Sequence, residues 1–263
     1  MNTHTNIGII GLGWLGESLA DFLKSNQNQV WGTVTSIEKA ARISQKGIST
    51  LLWNSEDSFS EELKKALSQT DILILNLPPS VFKTMTYAEG VSSFIPYLNK
   101  KTKVIFTSST GVYPDHLENA REDYVFQAED SNKLIEAEGT LQQQLGDRLS
   151  ILRLAGLIGE ERNPVHYLAK KEVNDHPNKK VNLIHRKDIF RVVDLLISRD
   201  IFGEIFNVCH PSHPTREAYY TQKALDYNLG KIKFGPPTKN QPNKVVNCGK
   251  LQKELNYKQF ELL

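Results

Sequence analysis

Cysteine is scarce in this chain: two thiols, Cys209 and Cys248, in 263 residues. They form no metal-type pair, which argues against a disulfide framework and leaves two reduced thiols as the expectation. Net charge is equally scarce. Lys and Arg number 32 against 30 Asp and Glu, a formal +2, so there is no electrostatic footprint for nucleic acid. No apolar run approaches the roughly 18–20 residues a membrane helix needs. The polar start, Met1 to Asn6, lacks the charged region and cleavage site of a secretory signal. His210 and His213 straddle Pro211 without further ligands at zinc spacing, so no metal is expected. The expectation is a cytoplasmic protein with neither nucleic-acid nor membrane partner.

What is present is ordinary globular composition, 39% hydrophobic and 24% charged, arranged in alternating short apolar runs and amphipathic stretches. The pattern predicts strands over 6–10, 29–34, 49–53, 71–77, 103–107 and 149–154. Helices are expected over 17–24, 37–45, 59–68, 87–98 and 132–145. Continuous apolar strands alternating with helices imply a parallel sheet covered on both faces, economically a Rossmann-like doubly wound α/β fold. After about residue 155 the pattern loosens, with polar Pro-containing stretches at 175–180 and 235–240. The expected division is 1–155 for the sheet and 156–263 for a small α+β lobe interwoven with it.

Gly11-Leu-Gly-Trp-Leu-Gly16 follows the first strand and opens the first helix. In that context the first glycine permits a tight turn. The second lets a pyrophosphate approach the backbone, and the third lets helix and strand pack closely. The phosphates would rest on amides at the helix start, favoured by its dipole. Gly11, Gly13, Trp14, Leu15 and Gly16 are the expected cofactor residues, with Trp14 packing over the loop. An acidic residue after the second strand would hold the adenosine ribose hydroxyls, but Gly32-Thr-Val-Thr-Ser36 has none. Thr35 and Ser36 stand there, followed by Lys39 and Arg42, which could reach a 2′-phosphate. The expectation is NADP in preference to NAD. Pro78 and Pro79 end the fourth strand after Leu77; the turn reads equally as a wall for the cofactor, with Asn76 and Ser80 giving polar contacts, and as a simple strand terminator.

Thr107-Ser-Ser-Thr-Gly-Val-Tyr113 stands at the carboxyl end of a strand, where open α/β sheets place their ligands. With the glycine loop, Leu152 to Gly159, Val181 to Asp188, Gly203 to Val208 and Asn247 to Leu255, it resembles a known family. This is the extended short-chain dehydrogenase/reductase superfamily, in particular atypical members of the NAD-dependent epimerase/dehydratase family. The resemblance implies a small-molecule substrate lobe in the second part of the chain. It implies hydride transfer at a hydroxyl or carbonyl carbon, possible for a sugar nucleotide, and leaves a homodimer open. It matches Ser109 to the serine that orients the substrate oxygen, and places His185 and Asp188 in a segment that organises the interface between cofactor domain and substrate lobe, with His185 in a structural role.

The family's Tyr and Lys, spaced i, i+4 on the following helix, are missing there. If Lys133 is the lysine, Glu129 takes the tyrosine position. If Glu138 marks the register, Asp130 and Leu134 take the two positions. Catalytic candidates are therefore Ser109, Tyr113 and Lys133, with Tyr124, Glu129 or Asp130 as alternative acids. Glu129, Asp130, Glu136 and Glu138 read otherwise as a solvated helix start and face. Arg153 reads equally as an anion ligand or a structural ion pair. The leading expectation is an NAD(P)-dependent oxidoreductase or epimerase-like enzyme. The alternative is a non-catalytic NADP-binding sensor or regulatory protein.

Overall fold

A computed structural model describes residues 5–130, 132–237 and 243–263. Residues 1–4, 131 and 238–242 lie outside the described residues, so the start of the polar N-terminus and the end of the 235–240 stretch fall there. In chain order the first elements are β1 (Asn6–Ile10), α1 (Trp14–Ser25), β2 (Gln29–Val34), α2 (Ile37–Ser44), β3 (Ser49–Leu52) and α3 (Glu61–Ser68). Then come β4 (Ile72–Leu75), α4 (Tyr87–Ser92), β5 (Lys103–Ser109), α5 (Lys133–Leu145) and β6 (Leu149–Leu154). The later elements are β7 (Gly156–Ile158), α6 (Val165–Leu168), β8 (Leu183–His185), α7 (Arg186–Ser198), β9 (Ile205–Val208), α8 (Arg216–Asp226) and α9 (Gly249–Glu254).

The expected Rossmann-like fold is present. A seven-stranded sheet runs β3-β2-β1-β4-β5-β6-β9, and the pairs β1–β2, β1–β4, β2–β3 and β4–β5 are parallel. The strand order reverses between β1 and β4, the position at whose carboxyl ends open α/β sheets place their ligands. β7 and β8 form a separate two-stranded parallel sheet.

The chain divides into two compact units. The first comprises Met1–Ser109, Ser131–Leu152 and Val193–Ile205. Its core is built from strand residues that alternate with no polar side, such as Leu73, Leu75, Val104 and Phe106, packed on Leu63, Val91, Phe94 and Leu141. Each such fully buried side chain contributes about 1.5–3 kcal/mol relative to exposure. Helix starts are set by short polar residues: Ser36, Ser60 and Asn132 cap α2, α3 and α5, and Thr86 with Glu89 forms a capping box on α4. Each such residue satisfies amides that the helix leaves open.

The second unit comprises Thr110–Asp130, Arg153–Val192 and Phe206–Leu263. Its own core gathers Ile158, Val165, Leu168, Val181, Leu183, Tyr219, Tyr220 and Ile232. Asp188 is buried there and accepts bonds from Tyr257 Oη at 2.6 Å and the Glu261 amide at 3.1 Å.

Boundaries differ from the periodicity at several ends. α4 stops at Ser92 instead of Leu98: Pro96 has no N–H to return to the Ser92 carbonyl, and the chain tightens into a 3-10 turn over Ile95–Tyr97. β4 stops at Leu75, short of the Pro78-Pro79 pair. α1 begins at Trp14, within the glycine loop, three residues earlier than the apolar stripe suggests.

Candidate functional site

The glycine loop of the first unit has three glycines with three different physical reasons. Gly11 has φ +98°, and a Cβ there would lie 2.5 Å from the Asn76 carbonyl oxygen. A Cβ on Gly16 would lie 2.2 Å from the Gly11 carbonyl oxygen. Those two are required by backbone and packing. Gly13 is different: it caps α1 with φ −73° and ψ −159°, ordinary extended backbone, and a Cβ there would meet nothing within 4 Å. Among the described residues no contact calls for glycine at position 13. The bare, open backbone there leaves room for a dinucleotide pyrophosphate. Leu15 and Gly16 are buried in the first turn, and Trp14 is half-buried.

The loop is pinned by groups that the glycine pattern does not reveal. Gly11 N donates to Thr33 Oγ1 at 2.9 Å, and Leu12 N to the Thr33 carbonyl at 2.9 Å. Asn76 Nδ2 donates to the Gly11 carbonyl at 2.9 Å, while Asn76 N bonds the Ile10 carbonyl at 3.0 Å. Thr107 Oγ1 lies 3.2 Å from Asn76 Oδ1. One amide side chain therefore ties together the ends of β1, β4 and β5. The sequence signal was its place at the end of an apolar strand, opposite the loop across the β1–β4 reversal.

After β2, Thr35 is exposed and Ser36 accepts from Lys39 N at 3.3 Å to cap α2. No carboxylate occupies the position after the strand. Arg42, expected to reach a phosphate, is joined to Glu17 through two bonds of 2.5 and 2.6 Å. After β4, Leu77 is buried, and its carbonyl accepts from Tyr87 Oη at 2.7 Å. The Pro79 carbonyl accepts from Lys133 Nζ at 3.1 Å, so the first turn of α5 is tethered to the Pro78-Pro79 loop.

At the end of β5, Ser109 is half-buried. Its neighbour Ser108 points the other way and donates to Glu138 Oε1 at 2.5 Å. Glu138 is 4% exposed, which corrects the expectation that it belongs to a solvated face. Glu136 is exposed, as expected for that face. Glu129 and Asp130 lie in a 3-10 turn over Ala128–Asp130, before α5 begins. The i, i+4 register of Glu129 and Lys133 on one helix face is therefore absent.

Within the second unit, Tyr113 is 3% exposed. Its hydroxyl donates to Asn207 Oδ1 at 2.8 Å and accepts from Arg153 Nη1 at 2.7 Å. Burial raises the phenol above its usual range, and the Arg153 charge opposes that. The Arg153 guanidinium lies over the rings of Tyr113 and Phe126, at 5.0 and 5.3 Å. Arg153 is thus enclosed by aromatic faces. Asn207 N in turn donates to Glu122 Oε1 at 2.7 Å. Tyr124 Oη donates to Asp130 Oδ2 at 3.0 Å; burial first, then that carboxylate, raises its phenol.

Comparison with known proteins agrees with the fold. Residues 6–94 match the family model described as NADP oxidoreductase coenzyme F420-dependent. Protein YeeZ of Escherichia coli K12 is 31% identical over 262 residues, covering 95% of this chain and 94% of that protein. Yeast methylglyoxal/isovaleraldehyde reductase Gre2, solved with NADPH, has a TM-score of 0.73 at 18% identity, covering 98% of this chain and 94% of its own. UDP-N-acetylglucosamine 4-epimerase from Bacillus cereus has a TM-score of 0.70 at 14% identity, covering 96% and 93%. At those identities the two structures attest the fold alone.

Proposed function

We propose that this chain, which belongs to the family of the YeeZ protein, is an NAD(P)-dependent oxidoreductase or epimerase-like enzyme of the short-chain dehydrogenase/reductase superfamily, which its sequence resembles and whose fold it shares. The observation that carries the reading is Gly13, a bare backbone position with open space where a side chain would project.

Gly11, Gly13, Trp14, Leu15 and Gly16 would hold the pyrophosphate on the opening amides of α1. Thr35, Ser36 and Lys39 would face the adenosine ribose; no carboxylate stands at the strand end itself, the nearest, Glu38, being bonded by the Ser36 side chain in the first turn of α2, and Lys39 supplies the cation that favours NADP over NAD. Leu77, Pro78 and Pro79 would wall the cofactor, with Lys133 tethered to that loop. When bound, the nicotinamide donates or accepts a hydride. Ser109 holds the substrate oxygen, whose carbon changes between hydroxyl and carbonyl. A small hydroxyl- or carbonyl-bearing molecule is the substrate class, and a sugar nucleotide is the one the family resemblance implies. Tyr113 we assign to holding Arg153, because both sides of its hydroxyl are already engaged.

That engagement of Tyr113, with the Tyr-Lys pair absent from α5, favours a second reading: an NADP-binding sensor without turnover. Titration with NADPH and NADH, followed by nicotinamide fluorescence, tests both. Binding is expected, and its absence removes both readings. Steady turnover over a panel of carbonyls and sugar nucleotides, lost in Ser109→Ala, establishes the enzyme. Binding with no turnover across the panel establishes the sensor.

A further inference from the structure

Four charges lock together among α1, α2 and the turn that follows α2, all within the first unit. Glu17 takes the Arg42 guanidinium by both oxygens, at 2.5 and 2.6 Å. Lys46 Nζ bonds Glu17 Oε1 at 3.0 Å and Asp21 Oδ2 at 2.6 Å. Two acids and two bases leave the group with no net charge. The Glu17 side chain is only 15% exposed, whereas Arg42 is 54% exposed. The weight of the pair thus falls on where the arginine is drawn.

Position gives this lock a consequence. Glu17 directly follows Gly16, in the first turn of the helix that opens on the glycine loop. Arg42 follows Lys39 by three residues on α2, so the two share a face, and helical side chains lean toward the N-terminus. On α2 that end is Ser36, beside Thr35. Unrestrained, Arg42 would extend toward the residues proposed to face the adenosine ribose. Glu17 instead draws its two terminal nitrogens to α1. Lys39, the other cation at that end, has the exposed carboxylate of Glu38 as its sequence neighbour.

We propose that Glu17 sets the cofactor preference of this site by withholding Arg42 from the 2′-phosphate. The inference rests on the dinucleotide reading above. With Glu17 in place, NADPH and NADH are both accepted, and the preference for NADPH comes only from Thr35, Ser36 and Lys39. Removing the carboxylate releases a guanidinium whose planar fork matches a phosphate. Glu17 thereby acts on specificity without touching the cofactor, as a positioning residue for Arg42.

The test is the ratio of NADH to NADPH dissociation constants, by fluorescence titration of the purified full chain. In Glu17→Gln the ratio is expected to rise about tenfold, the size of one added charge-assisted hydrogen bond. Adding Arg42→Ala to Glu17→Gln returns the ratio to the wild-type value. Arg42→Ala alone changes NADPH affinity by less than about threefold, because the arginine is already withheld. That single variant keeps the proposal open to refutation if Glu17→Gln fails to fold. An unchanged ratio in Glu17→Gln, or a tenfold loss of NADPH binding in Arg42→Ala alone, overturns it. If the wild-type protein binds neither dinucleotide, the cofactor reading falls first and takes this proposal with it.

Discussion

Ser108 and Glu138 form a buried hydroxyl–carboxylate pair, 2.5 Å apart, that fastens α5 to the end of β5. Ser109 is the next residue, so this pair holds the strand end that presents it. Glu138→Ala leaves the buried Ser108 hydroxyl without this partner, and the expected loss is about 1–3 kcal/mol of stability. Glu138→Gln keeps an oxygen acceptor and loses less. Urea denaturation of the three proteins measures the difference. Equal midpoints for wild type and Glu138→Ala would show that the pair holds nothing.

Gly13 and Gly16 separate ligand requirement from packing requirement. Gly13→Ser puts a good helix cap at the start of α1, in space that is empty in the protein. Thermal stability should stay level or rise slightly, while dinucleotide affinity falls by roughly 10–100-fold as backbone contacts to the pyrophosphate are blocked. Gly16→Ala should do the reverse in kind. Its Cβ collides with the Gly11 carbonyl, so stability drops by about 1–3 kcal/mol with or without cofactor. A melting curve and an NADPH titration on each variant distinguish the two. Undiminished binding in Gly13→Ser would remove the main support for the site.

The first six strands and the glycine loop were legible in sequence because each signal is local. Apolar runs such as Asp71 to Leu77 and the spacing Gly11, Gly13, Gly16 need no partner to be read. What stayed hidden is long-range. Glu138 lies among acids on a helix that looks solvated, and only the arrival of Ser108 from a strand 30 residues earlier makes it a core residue. Arg42 looks like a free cation until α1 supplies Glu17. The 110–130 stretch belongs to the second unit although it follows β5 in sequence. No periodicity marks that, because the assignment rests on contacts such as Tyr113 with Arg153 and Asn207.

The Tyr113 hydroxyl is a connector between Arg153 and Asn207. Tyr113→Phe keeps the ring against Phe126 and the guanidinium but removes one bond from Arg153 and one from Asn207. A loss of about 1–3 kcal/mol is expected in urea denaturation. Affinity for NADPH should stay within about threefold, since its proposed ligands are untouched. If turnover is established, its retention in Tyr113→Phe confirms the connector role. Full stability together with loss of turnover would assign Tyr113 to proton transfer instead.

Acid should loosen the first unit through Glu17. Arg42 above all, with Lys46, holds its carboxyl at about 2, against 4.5 for an unperturbed glutamate. The folded value lies below the unfolded one, so the unfolded chain binds the proton more readily between them. The associated stability is complete above about pH 5 and drains away as pH falls through 4.5 toward 2. Burial raises Glu122 and Asp188. Those groups act with opposite sign, losing stability as pH rises through their window. The whole-protein profile mixes both, whereas the difference between wild type and Glu17→Gln isolates one. Wild type should hold a larger urea midpoint than Glu17→Gln at pH 6, and the gap should narrow steadily at pH 4 and pH 3. Arg42 and Lys46 stay protonated throughout, so the narrowing reports the carboxyl alone. A gap that is constant from pH 6 to pH 3 would mean that the Glu17–Arg42 pair adds nothing to the folded state, and that solvent screening at the exposed arginine has cancelled it.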